Sequence, residues 1–335
     1  MIILRNGSAP AGARFRARAV WVKTKEALGL PTKSDGNFYI DRFSRALRSN
    51  AVGTNLMVMA TGKNDGAGSQ AQAAMSALCF ARAHGLTYVH RPFSTIEHAE
   101  GDMNSWVRAC ETYFNLGAGE TALDSVSAPV VPVARLPLIP QPTPVIVTAE
   151  HYLRFCNSDP DSWERVLSDL RTKFWSNKKR APRRPGEIRI AVHMRRGDVS
   201  ASNSKVARNF TPNGVFVNTL SRFKALLADR ASVAYIDVYS QGNPEDFADL
   251  TGLGAELHLD TPALETHRAL VESDILIMSK GAFSYTAGIL NEGITLYDPQ
   301  KYRRLQSWIA RDADGSFDEE LVAKRIEALL RAGMK

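Results

Sequence analysis

The sequence predicts an α/β chain built as two halves, and three observations carry that expectation. Short apolar runs alternate with helical patterns from residue 188 to residue 297. A strand–glycine loop–helix–strand unit occupies residues 55–90. A proline-rich stretch followed by a basic run separates the two regions.

In the first half, the opening fifty or so residues carry no pattern that places an element. Asn55–Ala60 is an apolar run fit for a buried strand, and Thr61–Gly68 is a glycine-rich turn. Ser69–His84 is rich in helix formers and stops at Gly85; Leu86–His90 reads as the next strand. Glycines facing a helix N-terminus make a natural anion site, which singles out Gly66, Gly68 and Gln70. Trp106, Tyr113 and Phe114 share one helical pattern and read as core. Six prolines between Pro129 and Pro144 forbid a regular helix or a central strand, so this stretch reads as an extended connection on the surface of the first domain. Asp161–Trp175 reads as a helix with Trp163, Val166, Leu167, Leu170 and Phe174 on one face. The basic run Lys178–Gly186 marks a boundary, giving domains at 1–177 and 187–335, and a solvated linker explains it better than nucleic-acid contact.

In the second half, strands are expected at Ile188–His193, Ala234–Tyr239, Glu256–Leu259, Ile275–Met278 and Thr295–Tyr297. Helices are expected at Val217–Leu227, Pro244–Leu250, Pro262–Val271 and Tyr285–Leu290, with Pro262 at a first helical position. Such alternation describes a parallel, Rossmann-like sheet covered on both faces, and its ligands bind beyond the carboxyl ends of the strands. There the chain offers His193-Met-Arg-Arg-Gly-Asp198. Arginine's planar fork suits phosphate oxygens, and alternation along the strand sends Arg195 into the crevice. Arg196 reads as a partner for a structural acid, and a strand-end ion-pair network is the bland alternative for the cluster. Ser240 opens the second turn and could serve a ribose or base, or simply the turn. The fourth strand gives Ser279, Gly281, Ser284 and Tyr285 before or at the start of a helix whose free N–H groups could hold phosphate, with Lys280 adding charge. The tail, residues 318–330, reads as a helix with Leu321, Ile326 and Leu329 inward.

Composition narrows the class. The 335 residues are 44% hydrophobic and 23% charged with a net charge of +7, which excludes disordered and disulfide-rich chains and favours anionic partners. No apolar run reaches the ~18 residues of a membrane span. The start of the chain lacks the apolar core of a signal peptide, although its arginines leave organelle targeting open. Cys79, Cys110 and Cys156 form no CxxC, and Cys79 and Cys110, inside apolar helical patterns, read as buried thiols, which fits a reducing, cytoplasmic setting. The histidines show no metal spacing, and the Asp-x-Asp at Asp312-Ala-Asp314 lies in the tail, far from any strand end. Gly66-x-Gly-x-x-Ala71 matches a dinucleotide fingerprint weakly, but His90-Arg91 stand where an acid is wanted. No Lys-Ser/Thr completes a P-loop.

The run IRIAVHMRRGDV, the Ser-Lys-Gly-Ala-Phe-Ser turn at 279–284 and the Gly66-Ala-Gly-Ser-Gln70 loop resemble fucosyltransferases that share an HxRRxD-type peptide, over roughly residues 55–300. The resemblance implies a GT-B-like fold of two facing Rossmann-like domains, with the tail helix packed back on the first domain. It implies inverting, metal-independent transfer of fucose from GDP-fucose to a glycan hydroxyl, without nucleic acid. On this resemblance Arg195 holds the diphosphate, His193 and Asp274 help recognise guanine or ribose, and Ser284 contacts phosphate. The core α1,6 enzymes keep a Glu base just beyond the peptide; residues 199–204 here hold no carboxylate, leaving Asp198 first and Asp65 second as candidate bases. Asp198 could equally orient the arginines. The rivals are another nucleotide-sugar or PAPS-dependent transferase and a non-enzymatic basic anion-binding module.

Overall fold

In the computed structural model, residues 33–61, 65–182, 185–200, 207–228, 230 and 233–333 are described. The first sheet contains β1 (Leu56–Ala60), β2 (Thr87–His90), β3 (Thr121–Ala122), β4 (Val130–Pro132) and β5 (Val145–Ala149). All its pairings are parallel, in the order β3-β2-β1-β5-β4. Its helices are α1 (Lys33–Arg48), α2 (Ala67–His84), α3 (Met103–Phe114), α4 (Leu153–Ser158) and α5 (Leu167–Trp175).

The second sheet contains β6 (Glu187–His193), β7 (Val233–Ser240), β8 (Glu256–Leu259), β9 (Ile275–Ile277), β10 (Ile294–Tyr297) and β11 (Ile309–Ala310). It is also wholly parallel, in the order β11-β10-β9-β6-β7-β8. With it come α6 (Asn213–Leu227), α7 (Ala248–Thr251), α8 (Ala263–Glu272), α9 (Ala282–Leu290) and α10 (Glu319–Gly333). Read from β8, the order is that of a doubly wound Rossmann sheet, whose direction reverses between β6 and β9. The molecule is thus α/β with two parallel-sheet, Rossmann-like domains, as expected.

Four expectations need correction. The proline-rich stretch does hold an edge strand, β4, where a proline at the end of the ladder is tolerated. Beyond that stretch, where the sequence reading placed no element, β5 begins directly after Pro144 as an interior strand buried on both faces. The prolines restrict only their own residues, so an apolar run one position later is free to pair. The helix expected at 161–175 is regular only over α5, although Trp163, Val166, Leu170 and Phe174 are all buried. The tail helix α10 packs on α6 and β10 of the second domain, not on the first. Within it Ile326 is buried and Leu321 is exposed. The small edge strand β11, too short for periodicity to show, completes the second sheet.

The two domains share a core. One continuous cluster joins Val58, Leu78 and Phe80 of the first domain to Leu276, Tyr285 and Ile289 of the second. Alanine-rich α2 makes this possible, because its small side chains let it lie against both the first sheet and α9. Arg171 on α5 donates to the carbonyls of Ile289 (3.1 Å) and Asn291 (2.5 Å), so a cation from the first domain satisfies the C-terminal end of α9. Among the described residues no helix is long and apolar enough to cross a membrane. Cys79, Cys110 and Cys156 are buried free thiols.

Candidate functional site at the carboxyl ends of β6 and β9

The switch point between β6 and β9 brings His193-Met-Arg-Arg beside Ser279-Lys-Gly. Two serines bind the strand ends together. The Arg195 N–H donates to Ser279 Oγ at 3.1 Å, and the Ser279 N–H donates to Ser284 Oγ at 3.1 Å. Ser284 Oγ also lies 2.8 Å from His193 Nδ1. Burial first, then the charges of Arg195 and Arg196, pushes the His193 pKa down to about 3, so the ring is neutral. Phe283 stands between His193 and His267, with ring centroids 5.2 Å and 5.0 Å away. His267 in turn bridges Tyr113 Oη (2.8 Å) on the first domain and Thr286 Oγ1 (3.0 Å) on α9.

Arg195 and Gly281 define the mouth of α9. A Cβ on residue 281 would lie 2.7 Å from Arg195 Nη1, and its φ of +144° is one that side chains rarely adopt. The Arg195 guanidinium therefore packs directly on the backbone that opens the helix. It also grips Asp198 through two bonds, Nε to Oδ1 at 3.2 Å and Nη2 to Oδ2 at 2.6 Å. Asp198 thus holds Arg195, the alternative to its reading as a base. Arg196 faces elsewhere, donating to the carbonyls of Arg195 and Thr211 and to Asn213 Oδ1, over the Phe210 ring. Its partners are carbonyls and an amide, not the acid expected.

The glycine loop closes on this mouth from the other domain. A Cβ on Gly68 would lie 2.7 Å from the Cα of Phe283, so the first turns of α2 and α9 touch. Gly66 is the N-cap of α2. Gln70 donates to the carbonyls of Asp65 (2.8 Å) and Thr95 (2.6 Å), which pins the loop and leaves neither amide hydrogen for a ligand. Asp65 Oδ2 accepts the Ser69 hydroxyl at 2.6 Å; Oδ1 is buried with no hydrogen-bond partner among the described residues.

Three expected residues lie outside the crevice. Asp274 precedes β9 and takes the Arg189 N–H at 2.9 Å, at the amino edge of the sheet. A parallel strand separates its two ends, so Asp274 lies at the sheet edge opposite to Arg195. Ser240 donates its hydroxyl to the Met194 carbonyl at 2.8 Å and ties β7 to β6. Tyr285 is fully buried, its hydroxyl donating to the Arg303 carbonyl at 2.6 Å.

The sequence reading missed Asp298 and Arg311. Asp298 ends β10 at the same sheet edge, and the carboxyl-end rule flags it once that strand is drawn. Its Oδ2 takes the Thr211 hydroxyl (2.6 Å) and Arg311 Nη2 (2.9 Å). Arg311 itself is buried over the Phe216 ring. Nothing in the local sequence around Arg311 signals this pairing.

Two features lie off the crevice. Asp237, Glu256 and His258 place ligand atoms within 4.8 Å of one another on neighbouring strands β7 and β8. A hollow of about 390 Å³ beside them is lined by residues such as Arg189, Tyr235, Asp237 and Glu272, along the β6–β7 face below the strand ends. Neither includes Arg195 or the glycine loop.

No family model matches the chain, and no curated protein does. Solved structures similar to it include POFUT1 in complex with GDP (11% identity, TM-score 0.39, covering 77% of this chain and 99% of that one). NodZ α-1,6-fucosyltransferase co-crystallised with GDP is 14% identical with a TM-score of 0.40, over 78% of this chain and 97% of that one. The E. coli heptosyltransferase WaaC with ADP-2-deoxy-2-fluoro heptose is 13% identical with a TM-score of 0.37, over 83% and 99%.

Proposed function

We propose that the chain is a glycosyltransferase that takes its sugar from a nucleotide donor, with GDP-fucose as the donor and a glycan hydroxyl as the acceptor. The observation that carries this reading is the packing of Arg195 on Gly281 at the open N-terminus of α9, at the switch point of a parallel sheet. A guanidinium and a helix N-terminus converging there form an anion site suited to a diphosphate. The HxRRGD peptide and the Phe283-Ser284 turn that resemble fucosyltransferases are the same residues that build it.

In this reading Arg195 and the N–H groups of α9 stabilise the charge that develops on the departing diphosphate, with no call on a metal ion. His193 stays neutral; with Ser284 donating to Nδ1, its Nε2–H is a donor for the nucleoside. The acceptor hydroxyl attacks the anomeric carbon, the bond from that carbon to the diphosphate oxygen breaks, and the hydroxyl proton passes to a carboxylate. Asp65 suits that role better than Asp198, because Asp198 is bound to Arg195 while Asp65 keeps an oxygen without a hydrogen-bond partner among the described residues. Gly68 brings that loop against α9, across from Arg195.

Thermal unfolding with GDP, UDP, ADP and PAP tests the reading. A ligand at about 100 times its dissociation constant adds about 2.7 kcal/mol, a shift of several degrees. A shift with GDP that disappears in Arg195→Ala is the expected result. A shift with UDP or PAP instead would change the donor, and none with any nucleotide would return the chain to a basic binding module.

A further inference from the structure

The cations near the crevice differ in how firmly they are already held. Arg196 is engaged by two carbonyls and Asn213, and sits over Phe210. Arg311 is buried against Asp298. Arg195 is bound at two points by Asp198. Lys280 stands apart. Its Nζ lies 3.9 Å from Asp298 Oδ1, too far for a hydrogen bond, and no hydrogen bond to it is made among the described residues. Asp298, its only ion-pair partner among them, already has a closer cation in Arg311, at 2.9 Å.

The position of Lys280 matches that freedom. It lies between Ser279, whose hydroxyl takes the Arg195 N–H, and Gly281, whose backbone carries the Arg195 guanidinium. We infer that Lys280 is a second diphosphate-binding cation, which leaves Asp298 to meet the phosphates beside Arg195; this rests on the nucleotide-donor reading above. A nucleoside diphosphate brings several negative charges, and Arg195, itself bound to Asp198, is the one full positive charge among the described residues set against them beside the N–H groups of α9. A lysine is suited to the task, since its ammonium is a point charge on a flexible stem and needs no fixed fork geometry. Because the side chain is partly exposed and its contact with Asp298 is long, little is lost when it turns.

The test compares nucleotide binding by the full chain, wild type and Lys280→Met, with Lys280→Gln as a second variant should the first unfold. GDP and guanosine are titrated separately, and unfolding without ligand confirms that the variants fold. GDP affinity should fall about tenfold or more, the size of a lost charge-assisted contact, while guanosine affinity stays unchanged. Lys280→Arg should recover most of the loss. If wild type binds GDP and Lys280→Met binds it equally well, the inference is overturned and the donor reading stands. If both variants lose GDP and guanosine alike, Lys280 shapes the site structurally and the inference is also overturned. If wild type itself binds no GDP, the donor reading fails, and Lys280's role with it.

Discussion

Gly68 on α2 and Phe283 on α9 approach so closely that a Cβ at position 68 would lie 2.7 Å from the Phe283 Cα. The obstacle is backbone, not the end of a flexible side chain, so one of the two helices would have to move. Gly68→Ala should therefore destabilise the fold by about 1–3 kcal/mol, as overpacking does. It should also separate the glycine loop from the mouth of α9. Denaturant unfolding reads the first effect and nucleotide titration the second. Unchanged stability would mean that the two domains slide apart freely.

Asp65 and Asp198 should separate by kinetics. Asp198→Asn weakens the grip on Arg195, so donor affinity should change and kcat should fall by less than about tenfold. Asp65→Asn should leave donor affinity intact and lower kcat by about 10²–10⁴-fold, the usual contribution of a general base. Single-turnover rates and KM for the donor check both. The reverse pattern would make Asp198 the base.

Acid should weaken the fold through three histidines. Burial, followed by neighbouring charge, pushes His193 and His267 down to about 3 and His84 to about 4. Their folded pKa values lie below the unfolded one, near 6.5, so the unfolded chain binds more protons between those limits. Stability should thus fall as pH drops below about 6.5, by up to about 1.4 kcal/mol per unit per histidine, and this contribution levels off near pH 3–4. Urea unfolding at several pH values measures the slope, which should flatten in His267→Gln. A slope unchanged in that variant would remove His267 from the effect.

Removing the tail should damage the second domain. Phe317 stacks on Phe223 with ring centroids 4.8 Å apart, and Val322 and Ile326 are fully buried with it in the second core. A chain cut before Phe317 loses these contacts together, each large apolar side chain being worth about 1.5–3 kcal/mol. Its melting temperature should drop by well over 10 °C, about 2–4 °C per kcal/mol for a chain of this size. Unchanged melting would remove α10 from the core.

The sequence by itself determined the class of fold and which strand ends to inspect. Apolar runs of strand length alternating with helical patterns can bury themselves only as parallel sheets, and the carboxyl-end rule then pointed to Arg195, Ser279 and Ser284. Local pattern could also find the glycine loop, because a glycine before a helix marks a close approach. What came to that approach was a tertiary matter: Phe283 lies more than two hundred residues from Gly68. The same holds for polar groups whose partners are remote. Asp198 gripping Arg195, Gln70 pinning its own loop, Ser240 tying β7 to β6 and Asp298 held by Arg311 each depend on which hydrogen-bond partner the fold delivers. Residue type sets what a side chain can donate or accept, and only the packed structure decides whether that capacity is already taken.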